Sequence, residues 1–136
     1  MTTSRRWLLG LSALGVLDTI YLTIVHFQAG ALVCSSSGVV DCHAVLSSAY
    51  SVIAGVPTSV YGLIWFCVIG LLVWKTPNWS AALRLISWLG ALVVIALVYI
   101  ELFLVGAICV YCSIAHLLVL AILVIVEWHQ GRLAAD

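Results

Sequence analysis

Four long apolar stretches, each close to the length of a membrane-crossing helix, leave this chain few choices of fold. They cover residues 7–27, 57–74, 81–106 and 109–126. A helix needs about 20 apolar residues to cross the hydrocarbon layer, and only helices or closed barrels satisfy their own backbone there. With 65% of its 136 residues hydrophobic and 7% charged, the chain has far more apolar surface than a soluble domain of that size could bury. The predicted fold is an all-α integral membrane bundle of four transmembrane helices, with residues 1–136 as one membrane domain. Residues 28–56 form an extracytoplasmic loop and short-helix cap between the first two helices. Membrane lipid is the surroundings such a chain requires, and a net charge of zero gives it no attraction for nucleic acid.

Local signals refine the outline. Arg5 and Arg6 before the first stretch imitate a secretion signal. That stretch is of bilayer length and lacks a small-residue cleavage site, so it reads as a retained helix. Residues 45–52 are expected to form a short amphipathic surface helix, and Gly55-Val56-Pro57 to start the second spanning helix. Residues 75–80 read as a tight turn with Ser80 as the following N-cap, and residues 127–136 as a polar tail.

Charge sets the orientation. The five basic residues are Arg5, Arg6, Lys75, Arg84 and Arg132. With four spans they all fall on one side, which by the positive-inside rule is the cytoplasm. Both termini are then cytoplasmic, and Cys34, Cys42, Cys109 and Cys112 all lie at the opposite, disulfide-permitting face. Trp7, Trp74, Trp79 and Trp128 are placed as anchors at the cytoplasmic interface, and Trp65 and Trp88 within the bundle or against lipid. Cys67, in mid-helix, reads as a small buried hydrophobe. Gly10, Gly15, Gly70 and Gly90 are candidates for close helix approach.

Cys109-Val110-Tyr111-Cys112 is a C-x-x-C at the start of the last helix. The positive end of a helix dipole favours a thiolate, and one turn of spacing lets the two sulfurs bond. With Cys34 and Cys42 on the same face, the chain holds the parts of a thiol–disulfide relay. Two alternatives remain open from the residues. Static disulfides would staple the outer face. A soft-metal-binding or transport protein would use Cys34, Cys42, His43, Cys109 and Cys112 as ligands, although no two-pair zinc spacing is present.

The order of these features resembles the vitamin K epoxide reductase family, in its bacterial or archaeal form. The loop cysteines are followed by Ser48 within Val45-Leu46-Ser47-Ser48-Ala49-Tyr50-Ser51, by Gly55-Val56-Pro57, by Tyr61-Gly62-Leu63 and by the C-x-x-C. The resemblance runs from about Asp18 to His116. It implies a four-helix bundle around a quinone (menaquinone, ubiquinone or similar) in the inner or plasma membrane. It also implies a catalytic relay in which Cys34 faces a thioredoxin-like dithiol oxidase, Cys42 exchanges with Cys109, and Cys112 lies beside the quinone. Ser48 matches a serine near the quinone. The chain ends at Asp136, so the thioredoxin-like domain often fused in bacterial members is expected as a separate partner. His116 stands where the vertebrate enzymes carry a tyrosine, which favours plain quinone reduction over epoxide reduction. The other quinone-linked, four-span disulfide-forming family has its cysteine pairs in the reverse order.

Quinone reduction takes up protons, so polar groups near the relay matter. His116 lies one turn beyond Cys112 on the same helix face and is a hydrogen-bond candidate for a quinone oxygen. Asp18 is a carboxylate within a span, a functional candidate by default. Glu101 is expected to snorkel to the interface and His26 to close the first span in a structural role; His43, beside Cys42, is a candidate for tuning its thiolate, with no role fixed by the sequence.

Overall fold

A computed structural model describes residues 2–34, 36–76 and 81–135. Of the turn expected at residues 75–80, positions 77–80, with Trp79 and Ser80, lie outside the described residues. Helix α1 is Thr3–Phe27, and α2, of one turn, is Cys42–Leu46. Strands β1 (Val52–Ile53) and β2 (Val56–Pro57) form a hairpin, and α3 is Thr58–Lys75. Helix α4 is Ala81–Tyr99, continued by a π-helical segment at Ile100–Val105, and α5 is Val110–Ala135. Four of these helices are long and apolar enough to cross a membrane: Thr3–Phe27, Thr58–Lys75, Ala81–Val105 and Val110–Arg132. The protein is an all-α, multi-pass membrane bundle, as the apolar stretches require.

Helices in lipid gain little from apolarity alone, so close packing of small residues decides which faces meet. Ser12, Gly15 and Thr19 of α1 face Gly62, Phe66 and Gly70 of α3. A Cβ on Gly15 would stand 2.3 Å from the Phe66 ring, so only glycine allows this approach. Gly62 and Gly70 lie 3.2 and 3.6 Å from Thr19 and Ser12 by the same measure. Gly90 of α4 receives the Trp65 ring, with its nearest atom 2.5 Å from where a Cβ would be. Gly10 has nothing within 4 Å and takes no part, contrary to expectation. The core around this seam contains Leu8, Phe66, Ile69, Leu83, Ile122 and Val126.

Several boundaries differ from those read in the sequence. The last helix does not stop near residue 126 but runs to Ala135. Glu127 accordingly sits on a helix, where Arg84 Nε donates to its Oε1 at 2.7 Å and Trp88 Nε1 at 2.9 Å. The loop helix lies at Cys42–Leu46 rather than at residues 45–52, because Asp41 caps it: its Oδ1 accepts from the Ala44 N–H at 3.0 Å. Residues 49–51 make a 3-10 turn instead. Gly55-Val56-Pro57 belongs to the hairpin, whose two-residue turn holds Ala54 at φ 52° and Gly55 at φ 79°. The spanning helix begins one residue later, at Thr58. Cys67 is exposed on α3, not buried. An α3 that is apolar all round gives no periodicity from which its inward face could be read.

The basic residues share one end of the bundle. Arg5 Nη2 donates to the Trp74 carbonyl, tying the start of α1 to the end of α3. Arg84 and Glu127 tie the start of α4 to the end of α5. Trp7, Trp74 and Trp128 are exposed at this same end, and the loop and the C-x-x-C occupy the other.

Candidate functional site

The loop is fastened to the α4–α5 connection by backbone pairing. Val40 and Ile108 form a parallel bridge: the Ile108 N–H donates to Val39 O at 2.8 Å and the Asp41 N–H to Ile108 O at 3.1 Å. Gly106, at φ 70°, ends the π-helical segment and frees the chain for this contact. The register sets Cys42, two residues past Val40, beside Cys109, one residue past Ile108. Both are sealed, at 1% and 0% exposure, in one apolar cluster with Leu22, Val45 and Ala107. Cys34 and Cys112 pack on its edge.

Cys34 and Cys42 form a disulfide with Cα atoms 6.3 Å apart, while Cys109 and Cys112 are thiols. Cys109 sits at the N-cap position of α5: its carbonyl accepts from Ser113 N–H at 2.9 Å, and its Sγ accepts from Cys112 N–H at 3.2 Å. The Cys112 thiol beside it holds the Cys109 thiol below the ordinary thiol range, and the Cys112 and Tyr111 backbone N–H groups act in the same direction. Burial and the nearby Glu101 carboxyl oppose them. Two tyrosines hold the segment before Cys34. Tyr111 OH donates to Val33 O at 2.7 Å, Val33 N–H donates to Tyr21 OH at 3.1 Å, and the two rings lie 4.8 Å apart.

Beneath this layer lies a cavity of about 310 Å³ between α1, α3, α4 and α5. Among the four cysteines, Cys112 alone lines it. His116 lines it too, is 9% exposed, and its ring makes no hydrogen bond to another described residue. The walls are otherwise apolar, with Leu22, Trp65, Phe66, Val94 and Val119 among them. Tyr61, Leu89 and Val93 line the cavity and are also exposed on α3 and α4, so it opens sideways between those helices toward lipid. An apolar cavity of this size with a few convergent polar groups and a lateral opening fits a quinone ring whose tail lies in the bilayer.

Not every expected residue has its expected surroundings. Ser48 lines the cavity, but its Oγ donates to Val45 O at 2.8 Å, so it offers the cavity an acceptor rather than a donor. Its place three residues after Val45, at the end of α2, makes that local bond available. Glu101 does not snorkel: it is 7% exposed and lines the cavity, because the π-helical segment carries it inward near the Cys109 backbone N–H. Asp18 does not line the cavity, and its Oδ2 is buried with no hydrogen-bond partner among the described residues. His43 is exposed and lines a second, outer cleft of about 220 Å³. His26 lines both the cleft and the cavity, a placement no helical pattern in the sequence indicates. Thr19, Tyr61 and Trp65 are further cavity residues that sequence reasoning missed; Trp65 Nε1 donates to Ile86 O at 3.1 Å. Among the described residues, no group of three or more His, Cys, Asp or Glu stands close enough to hold a metal ion, and the Cys34–Cys42 bond takes two of the thiols that a metal site would need.

The model of the vitamin K epoxide reductase family covers residues 6–127, nearly the whole chain. No curated protein matches it.

Proposed function

Since the chain belongs to the vitamin K epoxide reductase family and is a membrane thiol oxidoreductase, we propose that it oxidises a thioredoxin-like dithiol partner at its outer face and delivers the electrons to a quinone. One observation carries this reading. The Val40–Ile108 bridge brings the loop pair against the C-x-x-C, and Cys112 opens onto the apolar cavity.

A thiolate of the partner attacks Cys34, and Cys42 leaves as a thiolate. Cys42 attacks Cys109 of an oxidised C-x-x-C, and Cys112 leaves as a thiolate facing the cavity. Once the partner has departed as a disulfide, Cys34 attacks Cys42 and releases Cys109. The result is a Cys34–Cys42 disulfide above a Cys109/Cys112 dithiol, the pairing found here. The lowered affinity of Cys109 for a proton makes it a good leaving group in that last exchange. A bound quinone supplies an acceptor for two electrons and two protons. Cys112 presents its sulfur to that acceptor, His116 a hydrogen-bonding imidazole and Ser48 an acceptor oxygen. The surrounding apolar side chains exclude water.

The five basic residues at the opposite end support a cytoplasmic location for both termini, with the cysteines at the extracytoplasmic face of an inner or plasma membrane. The test uses purified protein, a soluble dithiol and a short-tailed quinone. Quinol formation is expected in the wild type and its loss in Cys109→Ala and Cys112→Ala. Full activity in either variant would refute the relay.

A further inference from the structure

The relay moves electrons by exchanging sulfurs, but it does not move protons with them. When Cys109 and Cys112 close to a disulfide, one S–S bond forms, two S–H protons are released, and two protons must bond to the quinone oxygens. Cys112 faces the cavity and can give its proton there. Cys109 is 0% exposed and does not line the cavity, and Glu101, which does, stands near its backbone N–H. Each turnover releases Cys109 and Cys112 as thiolates, however, so the protons that end on the quinone must be replaced from outside the cavity.

Two hollows meet at one wall. The cavity and the outer cleft share His26, Leu46, Ser48 and Ser51. The serine hydroxyls are committed: Ser48 Oγ donates to Val45 O and Ser51 Oγ to Ser48 O, each at 2.8 Å. Leu46 carries no proton. His26 makes no hydrogen bond to another described residue, and its ring meets the Phe27 ring edge-on, with centroids 5.3 Å apart. An imidazole takes a proton at one nitrogen and gives one from the other. On the cleft side stands His43, exposed on α2.

We propose that His26 is a proton relay between the extracytoplasmic cleft and the quinone cavity, fed from the water at His43. The proposal rests on the quinone reading and gives it a direction: protons and electrons enter from the same face by separate routes. His26 is then the group through which protons from water reach the cavity, and the lipid-side opening between α3 and α4 serves the quinone alone.

The first test needs no quinone. Histidine C2–H exchange in heavy water, read by mass spectrometry on quinone-free protein, should show His26 exchanging faster than His116; equal or slower exchange at His26 overturns the route. The second uses His26→Ala with a short-tailed naphthoquinone, protein pre-reduced at Cys109 and Cys112. Quinol formation should slow roughly 100-fold, the size of a lost proton-transfer group. Quinone Kd and the rate of Cys34–Cys42 reduction by dithiothreitol should stay within twofold, and imidazole in the buffer should restore the rate. A wild-type rate, a parallel loss of quinone affinity, or no rescue by imidazole each overturns the relay. If His26→Ala does not fold, His26→Gln, which cannot pass a proton on, must be slow too, and a wild-type rate there overturns it. A wild type that forms no quinol removes the quinone reading itself, whereas a wild type that forms it beside an equally fast variant removes only the route.

Discussion

Gly90→Ala tests whether the cavity is the quinone site. A Cβ at Gly90 would stand 2.5, 2.6 and 2.8 Å from three atoms of the Trp65 indole. Carbon contacts are comfortable at about 3.5–4.0 Å, so the ring must retreat by roughly 1 Å. Trp65 and Gly90 both line the cavity, so a displaced ring reshapes its wall. The displacement also strains the indole's hydrogen bond to Ile86 O, now 3.1 Å. Loss of that bond costs about 0.5–1.5 kcal/mol, and overpacking as a whole about 1–3 kcal/mol. If quinone must push the ring back to bind, that cost falls on affinity, a loss of roughly 5- to 150-fold at 1.4 kcal/mol per tenfold. Titration of a short-tailed quinone by quenching of protein fluorescence measures it, with thermal unfolding in detergent read alongside. Gly10→Ala, with nothing within 4 Å, is the control and should change neither. An unchanged quinone Kd in Gly90→Ala would refute the placement of the quinone against that wall.

Three more expectations follow from the loop end of the bundle. In a Cys34→Ala, Cys42→Ala background, thiolate absorbance against pH should show Cys109 ionising below the ordinary thiol range; adding Cys112→Ala removes the largest stabilising contact and should move that midpoint upward. Asp41→Ala removes the cap of α2 and should cost about 1 kcal/mol of stability, with slower electron transfer from Cys42 to Cys109 in stopped-flow thiol trapping, because α2 carries Cys42. Tyr111→Phe removes the donor to Val33 O and should raise KM for a protein dithiol more than it lowers kcat, since it loosens the segment that presents Cys34.

The four spans were legible because bilayer length leaves a strong, local signal. The order of the cysteines, with Ser48 and the hairpin residues, was equally legible and placed the chain in its family. Depth and facing were not. Cys67 and Glu101 were both misplaced, for one reason: in lipid the outer face of a helix is as apolar as its inner face, so no amphipathic stripe marks what points inward. The π-helical segment that turns Glu101 into the cavity depends on tertiary context that a run such as Ile100-Glu101-Leu102-Phe103 does not encode. The place of His26 escaped because the two hollows it lines are completed by α2 and the segment after it, far from α1 in sequence. The Val40–Ile108 bridge joins segments 68 positions apart and leaves no trace in local pattern.

The claim at the centre is that Cys42 and Cys109 are exchange partners. Replacing both Cys34 and Cys112 by Ala removes the two thiols that could resolve a bond between Cys42 and Cys109, so peptide mapping of that double variant after mild oxidation, under non-reducing conditions, tests the claim directly. A Cys42–Cys109 disulfide within one chain is the result expected. Cys42 and Cys109 both left free, or bonded elsewhere, would contradict it.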